Sequence, residues 1–157
     1  MKSTTRNGEP HGRTRNGFTL VEISIVVSII GLLVVIALPA LQKARNESQA
    51  AALTNNFRVF DGALQQYSLE TGSWPPDDWT SGAYPVGMES NWLPETWIAV
   101  TPIGGQYAFA NSPATIILVL DDIPPTLMAR VDVALDDGGL GTGSIRGDDE
   151  SLDYIIE

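Results

Sequence analysis

The strongest pattern in the chain is an apolar run near its N-terminus. From Phe18 to Leu41 the only charged residue is Glu22. As a helix these 24 residues would extend about 36 Å, which is enough to cross a hydrocarbon core of roughly 30 Å. A buried core helix of that length would be unusual in so short a chain, so the run predicts a membrane-spanning helix.

After Pro39 the pattern becomes amphipathic. Large apolar residues recur at spacings of four, three, four and three, which places them on one stripe of a helix. Gly72 suits a C-cap and the prolines at 75 and 76 prevent continuation, so the helix is predicted to end near residues 70–72. The stripe can face the protein's own core or a partner, and core packing is favoured. Its members are Leu53, Phe57, Phe60, Leu64 and Tyr67.

The last third of the chain alternates between short elements and turns. Segments 106–110 and 114–120 predict two strands that pair around a turn at 111–113. Residues 126–135 predict a short helix that follows two prolines. The pattern predicts a final strand at 152–156, with a weaker strand over residues 144–146. A long helix followed by a small antiparallel sheet is an α+β arrangement.

Residues 73–105 form a long segment without regular periodicity that is rich in Pro, Gly and Trp. A long loop in a compact domain is often functional or packed by its own side chains. The tryptophans can form a stacking surface for sugar or peptide, or they can fix the loop onto the helix, and the second interpretation is favoured. They are Trp74, Trp79, Trp92 and Trp97.

Charge divides the 157-residue chain into a basic start, a nearly neutral helix and an acidic body. Residues 1–17 carry four Lys or Arg against one Glu, whereas residues 61–157 carry two Arg against 16 acidic residues. The net charge of −10 argues against nucleic-acid binding, because phosphate binding needs clustered cations. The absence of cysteine excludes disulfides, thiolate metal sites and cysteine nucleophiles. The single histidine, His11, lies in the basic start, and no catalytic constellation is present, so the chain is not expected to be an enzyme.

The flanks of the apolar run predict its orientation. Arg13 and Arg15 precede it, which favours a cytoplasmic N-terminus and an extracytoplasmic body, although Lys43 and Arg45 beyond the run weaken the asymmetry. A secretory signal fits badly, because the run is too long and continues into helix-forming sequence. A carboxylate such as Glu22 in an apolar segment is costly unless it is hydrated, paired or protonated, and it usually marks function.

The apolar run opens with Gly-Phe-Thr-Leu-Val-Glu at residues 17–22. This motif, followed by an apolar helix that contains Pro39, resembles the N-terminus of type IV pilins and of the pseudopilins of type II secretion. The similarity is close over residues 12–41 and looser as far as Tyr67. It implies a pilin-like fold, with the long helix packed on a small antiparallel sheet.

The resemblance also implies how the chain is processed. A prepilin peptidase would cut between Gly17 and Phe18 and methylate the new amine of Phe18. Glu22 and Pro39 would become the fifth and twenty-second residues, where the family places them. In a filament, Glu22 can pair with the amine of a neighbouring subunit and so fix its register. Gly31 and Pro39 allow bending, close approach or local loosening of the helix.

The family further implies partners and a location. The partners are other copies of the chain, related pilin-like subunits, the prepilin peptidase and an inner-membrane assembly platform, with no nucleic acid. The chain is expected to cross the cytoplasmic membrane once and then to enter a pilus or pseudopilus. No cofactor is required for this role.

Calcium is the one ligand that the sequence suggests. Clustered carboxylates in glycine-rich turns can gather the oxygen ligands that this ion prefers. The major pseudopilins, which the chain resembles, carry a calcium site in their C-terminal region. The spacing matches no EF-hand loop, and a merely solvated acidic turn is the favoured alternative. The candidates are Asp132, Asp136, Asp137, Asp148 and Asp149.

The sequence therefore predicts four parts. These are a leader over 1–17, a transmembrane and assembly helix over 18–41, an amphipathic helix over 42–72 and an acidic head over 73–157. The predicted function is a structural filament subunit, with the secretion pseudopilins favoured over adhesive pili because no cysteine-bridged C-terminal loop is present. The alternatives are a membrane-anchored module that binds carbohydrate or peptide without polymerising, and an anchored enzyme.

Overall fold

The computed structural model describes residues 17–77, 79–148 and 150–156 of the chain. The chain divides into two compact units, one that extends to Ala40 and one that runs from Leu41 to the C-terminus. A single helix, α1, spans Leu20–Thr71 and contains Pro39 without a break in its assignment. Because proline has no N–H, the carbonyl of Val35 lacks its usual helical partner at this point.

The described part of the first unit is helical from Leu20 and fully exposed along its length. Among the described residues, α1 alone contains a stretch that is long and apolar enough to span a membrane, and none of that stretch is buried within the chain. Its large side chains are therefore not core residues of this subunit, which agrees with the prediction of a membrane helix.

In the second unit, the C-terminal half of α1 buries one face. The predicted stripe is confirmed, since four of its five members are fully buried and Tyr67 packs against the same cluster. The helix ends as predicted, because Gly72 has φ +78° and its N–H donates to the carbonyl of Ser68 at 2.9 Å. A glycine tolerates this left-handed backbone without steric cost.

The sheet has four antiparallel strands: β1 (Gln106–Asn111), β2 (Ala114–Val119), β3 (Ile145–Gly147) and β4 (Ser151–Ile155). Their spatial order is β1-β2-β4-β3, so the last strand lies inside the sheet. A second helix, α2 (Pro125–Leu135), connects β2 to β3 and begins with proline at a position where a missing N–H costs nothing. The predicted α+β fold is confirmed, and the final strand is shifted by one residue from its prediction.

Aromatic side chains hold α1 against the sheet. The ring of Phe60 makes edge contacts with Tyr107 and Trp97, with centroids 4.8 Å and 4.9 Å away. Phe57 meets Tyr107 from the next turn, with centroids 5.7 Å apart. Burial raises the pKa of Tyr107 to about 12, while the amide of Asn56, which donates to its hydroxyl, acts in the opposite direction.

The loop between α1 and β1 packs mainly through its tryptophans. Trp97 is fully buried and its indole N–H donates to the carbonyl of Ala83 at 2.7 Å. Trp92 meets the ring of Tyr67 edge-on, and Trp74 is half-buried against the core. These three contacts agree with the anchoring interpretation, whereas Trp79 is 66% exposed.

Candidate functional site

The described chain starts with three exposed, non-helical residues before the apolar helix. Phe18 is 83% exposed and the helix begins two residues later. A Cβ added at Gly17 would meet nothing within 4 Å, so the packing of this subunit does not require glycine there. The same holds for Gly31 within the helix. Packing within this subunit therefore sets no limit on side-chain size at either position.

Thr19 and Glu22 close the first turn of α1 as a capping box. The backbone N–H and the hydroxyl of Thr19 donate to Oε2 of Glu22 at 3.0 Å and 2.9 Å. The N–H of Glu22 donates in return to the threonine hydroxyl at 3.2 Å. Two of the otherwise unpaired N–H groups of the helix start are thereby satisfied.

This arrangement explains how the apolar segment holds a carboxylate. Glu22 sits in the first turn, where the partial positive charge of the helix favours an anion. The hydroxyl groups of the two serines in the segment are hydrogen-bonded within the helix, since Ser24 and Ser28 each donate to the carbonyl four residues earlier at 2.8 Å. Glu22 is thus the one ionisable group between Phe18 and Leu41.

A second candidate site lies where α2 ends. One carboxylate oxygen from each of Asp132, Asp136 and Asp137 falls within 4.8 Å of the other two. Asp132 is completely buried, and neither of its carboxylate oxygens has a hydrogen-bond partner of normal geometry among the described residues. Such a buried orphan carboxylate is unfavourable, and a hard cation with oxygen ligands would relieve it.

The other two aspartates shape the loop that follows α2. Asp136 accepts from the backbone N–H groups of Ser144 and Ile145, the latter at 3.3 Å. Asp137 accepts from the N–H of Gly139 at 2.8 Å and from the hydroxyl of Thr142 at 3.0 Å. Backbone donors therefore hold both carboxylates beside Asp132, each of them with lone pairs to spare.

Electrostatics at this cluster favour a cation. Burial raises the pKa of Asp132, the N–H of Gly138 lowers it, and the carboxylates of Asp137 and Asp136 raise it further. Like charges held together in this way repel one another unless a proton or a metal ion neutralises them. The three residues present fit a calcium ion by ligand type, with carboxylate oxygens as donors.

Of the predicted calcium candidates that the structure describes, Asp148 is not part of this cluster. Asp148 lies in the turn between β3 and β4, where it accepts from the N–H groups of Glu150 and Ser151 at 2.9 Å and 2.8 Å. These bonds stabilise the ionised carboxylate and lower the pKa of Asp148, so the turn itself already stabilises the negative charge. Asp149 lies outside the described residues.

Comparison with known proteins points to the same N-terminal segment. The family described as the prokaryotic N-terminal methylation motif matches residues 12–38. The fimbrial protein EcpC of Eikenella corrodens is 40% identical over 70 residues, which is 45% of this chain and 46% of that protein. The type IV major pilin PilE of Neisseria gonorrhoeae is 35% identical over 68 residues, 43% of this chain and 41% of that pilin.

A further relative extends the similarity into the head. The type II secretion system core protein G of Pseudomonas aeruginosa is 25% identical over 105 residues, which cover 62% of this chain and 74% of that protein. The chain spans less than half the length of the fimbrial relatives it matches. No solved structure matches the chain.

Proposed function

We propose that this chain is a member of the type IV pilin and pseudopilin family and a structural subunit that polymerises through α1 into a helical filament. The observation that supports this most directly is the fully exposed apolar helix that opens with the Thr19–Glu22 capping box. A helix of this kind needs lipid or other helices around it, because its apolar surface gains about 25 cal/mol for each Å² removed from water.

Processing would take place at the start of that helix. A prepilin peptidase would cut between Gly17 and Phe18 and methylate the new amine, in keeping with the matched methylation motif. These residues are exposed and lie outside the helix, which suits a protease that must reach the peptide bond. Cleavage creates a cation next to Thr19, within the same turn that Glu22 caps.

Assembly would transfer the helix from lipid to a bundle of like helices. Packing of the exposed valine, isoleucine and leucine side chains supplies the non-specific attraction. Glu22 would fix the axial position of each helix relative to its neighbour. An unpaired carboxylate in an apolar bundle is strongly unfavourable, and the amine of a neighbouring subunit can neutralise it only in one position. The capping bonds from Thr19 leave lone pairs on this carboxylate for such a partner.

The pseudopilins of type II secretion are the favoured class within the family. Among the relatives described above, core protein G shares the longest stretch of the chain, and the chain has no cysteine for a bridged C-terminal loop. The subunit would cross the inner membrane once, with a cytoplasmic N-terminus set by Arg13 and Arg15 and an acidic extracytoplasmic head. Its partners would be like subunits, the peptidase and an assembly platform. A catalytic role is not part of this proposal.

Calcium would stabilise the head in this proposal. Asp132, with Asp136 and Asp137 beside it, would hold the ion at the end of α2. When bound, the ion would neutralise three carboxylates and pin the glycine-rich loop to the helix. Its function would be structural, and no step of assembly chemistry depends on it.

Mass spectrometry and one substitution test the proposed function. The chain recovered from membranes of cells that carry the secretion system should begin at Phe18 with a methylated amine. Glu22→Ala should leave this terminus and membrane insertion intact but abolish sheared filaments. Leu32→Ala, within the same exposed apolar surface, is the matched control and should still assemble. A terminus at Met1, or normal filaments from Glu22→Ala, would contradict the proposal and favour a membrane-anchored binding module.

A further inference from the structure

A pocket of about 250 Å³ lies on the face of the sheet that is turned away from α1. The register of the strands shows how it forms, because residues directly opposite one another project on the same face. Ile117 in β2 lies opposite Ala108 in β1 and Asp153 in β4. Asp153 lies in turn opposite Arg146 in β3. The residues that alternate with these along the strands, such as Leu118, belong instead to the core that α1 covers.

The floor of this pocket is low and apolar. Ala110 and Ile117 line it, and together with Ala108 they form a small buried cluster that is separate from the main core. The two alanines of β1 leave space above the sheet that larger side chains would fill. Thr115 also lines the floor, but its hydroxyl already donates to the carbonyl of Pro113 at 2.9 Å. The floor therefore offers a ligand mainly an apolar surface.

Trp79 forms one wall of the pocket and is the exposed exception among the tryptophans of the loop. Its side chain is 66% exposed, whereas Trp97 is fully buried. Trp74 and Trp92 pack against the core. A large aromatic ring beside a concave apolar floor provides a stacking surface for a ring-shaped ligand. The stacking interpretation of the loop therefore applies to Trp79, while the other three tryptophans anchor the loop.

Arg146 and Asp153 contribute opposite charges to the lining of the same pocket. Although the two residues lie directly opposite each other, the structure shows no ion pair between them. Arg146 is exposed and carries five N–H donors in a fixed plane. An anionic ligand would be repelled by the carboxylate and a cationic ligand by the guanidinium. The lining therefore favours a neutral ligand that can both accept and donate hydrogen bonds.

The edge strand β1 is already partly paired, which argues against an extended peptide as the ligand. A peptide that adds to a sheet needs free N–H and C=O groups along an edge strand. The carbonyl of Tyr107 accepts from the N–H of Gly82 at 2.9 Å. The N–H of Asn111 donates to Oδ1 of Asp77 at 2.8 Å. A sugar needs no such edge, because its ring can stack on an aromatic face and its hydroxyls both donate and accept.

We propose that this pocket binds a neutral carbohydrate, with one sugar ring stacked on Trp79 and its hydroxyl groups hydrogen-bonded to Arg146 and Asp153. This binding activity goes beyond the proposed filament role, and the pocket itself does not depend on polymerisation. In a filament, every copy of the chain would present one pocket. A glycan long enough to reach several copies would then bind with greater avidity than a single pocket provides.

The first experiment measures binding by calorimetry with the full-length chain, in micelles of a detergent that has no sugar head group. Chitotetraose, cellotetraose and maltotetraose are titrated in turn, and at least one should bind with a dissociation constant of about 1 mM or below. Trp79→Ala should weaken that binding about ten-fold, and Trp79→Phe, which keeps an aromatic ring, should weaken it less. Arg146→Gln should weaken it roughly five-fold. Arg45→Gln, at an exposed position on α1 outside the pocket, is the matched control and should stay within about two-fold of wild type.

The outcomes of this titration separate the pocket from the filament and from other ligands. Trp79 and Arg146 are exposed, so their substitutions should leave the urea midpoint of the head unchanged. No saturable binding of any of the three oligosaccharides, or equal affinity of wild type and Trp79→Ala, would overturn the proposal. Tighter binding of a blocked tetra-alanine peptide than of any sugar would also overturn it. Because dissolved subunits are used, each of these results contradicts the pocket and leaves the filament role intact.

A second experiment locates the bound sugar by oxidation of indole rings with N-bromosuccinimide. Trp79 should react before the three tryptophans that pack against the core. The oligosaccharide that binds, at ten times its dissociation constant, should slow the oxidation of Trp79 by about ten-fold, because it occupies about nine-tenths of the sites. Mass spectrometry of proteolytic peptides measures the rate at each tryptophan. Protection of Trp74 or Trp92 instead of Trp79 would place the sugar elsewhere and overturn the proposal.

Discussion

Thr19 and Glu22 exchange hydrogen bonds across the first turn of α1, with the threonine hydroxyl 2.9 Å from the carboxylate. The threonine acts as the N-cap, since its carbonyl accepts the first helical bond from Ile23 at 3.3 Å. The carboxylate at the start of α1 is therefore a partner of the helix terminus as well as a candidate for intersubunit pairing. These two roles can be separated by substitution of the threonine alone.

Thr19→Val should weaken assembly without removing the carboxylate. The loss of an N-cap costs about 1 kcal/mol, and Glu22 would lose one of its donors at the same time. Thr19→Ser keeps the hydroxyl and is the matched control. The measurement is the ratio of sheared filaments to processed subunit. Equal assembly of the valine and serine variants would show that the capping box has no role in filament formation.

The packing of α1 on the sheet depends on Phe60. Phe60→Ala should lower the free energy of unfolding by about 3 to 5 kcal/mol, because it opens a cavity among fully buried aromatic rings. Val59→Ala, at an exposed position one residue earlier, should change it by no more than about 0.5 kcal/mol. Urea unfolding of the full chain in micelles, followed by the fluorescence of the buried Trp97, measures both. Similar midpoints for the two variants would contradict the assigned core.

The buried face of α1 could be predicted from the sequence because its apolar residues follow a single helical repeat. The stripe from Leu53 to Leu64 repeats with the period of a helix, so burial on one face follows from spacing alone. Asp61 interrupts the same segment with a charged residue. In the structure it instead accepts hydrogen bonds from Gln65 at 2.9 Å and from the hydroxyl of Tyr154 in β4 at 3.4 Å. That second contact joins residues far apart in sequence, which periodicity cannot reveal.

The candidate sites differ in the same way: some features follow from the spacing of nearby residues, and others depend on contacts that form only when the chain folds. The Thr-x-x-Glu spacing of the capping box is visible in the sequence, although only the glutamate was singled out. The acidic candidates near the C-terminus could not be sorted by spacing. Asp132 and Asp137 meet because α2 ends between them, whereas Asp148 is committed to the turn between β3 and β4. Sequence reasoning also missed the groove of about 540 Å³ between the second half of α1 and α2, because Thr54 and Arg130 line one cavity only when the two helices pack.

Asp61 should make the stability of the head depend on pH. Burial raises the pKa of Asp61 above its ordinary value, while donors from Gln65 and Tyr154 lower it. The folded state therefore keeps the proton to a higher pH than the unfolded chain. The contribution of Asp61 to the free energy of unfolding is therefore greatest below the pKa of the unfolded chain. It falls as pH rises from that pKa to the higher pKa of the folded state. Asp61→Asn should remove this dependence of the free energy of unfolding on pH. The variant should also be more stable than wild type at neutral pH.

The pH dependence is measured by urea unfolding at a series of pH values from 3 to 7. Gln65→Ala removes a donor that lowers the pKa of Asp61, so its stability should fall more steeply with pH than that of wild type. If Asp61→Asn and wild type have parallel curves, the burial of Asp61 has no energetic consequence. If Gln65→Ala flattens the curve, the direction of the assigned shift is wrong.

Calcium should reverse the order of stability between wild type and Asp132→Asn. Without the ion, the variant should unfold at a higher urea concentration, because a completely buried carboxylate that lies beside two others is replaced by a neutral amide. With calcium at about 100 times its dissociation constant, wild type should gain about 2.7 kcal/mol and the variant little. Asp148→Asn, which removes a carboxylate outside the cluster, should gain as much as wild type. Chelator-treated full-length protein titrated with calcium chloride provides the measurement. Equal gains for wild type and Asp132→Asn would contradict the site, since Asp132 is the one carboxylate of the three that is completely buried.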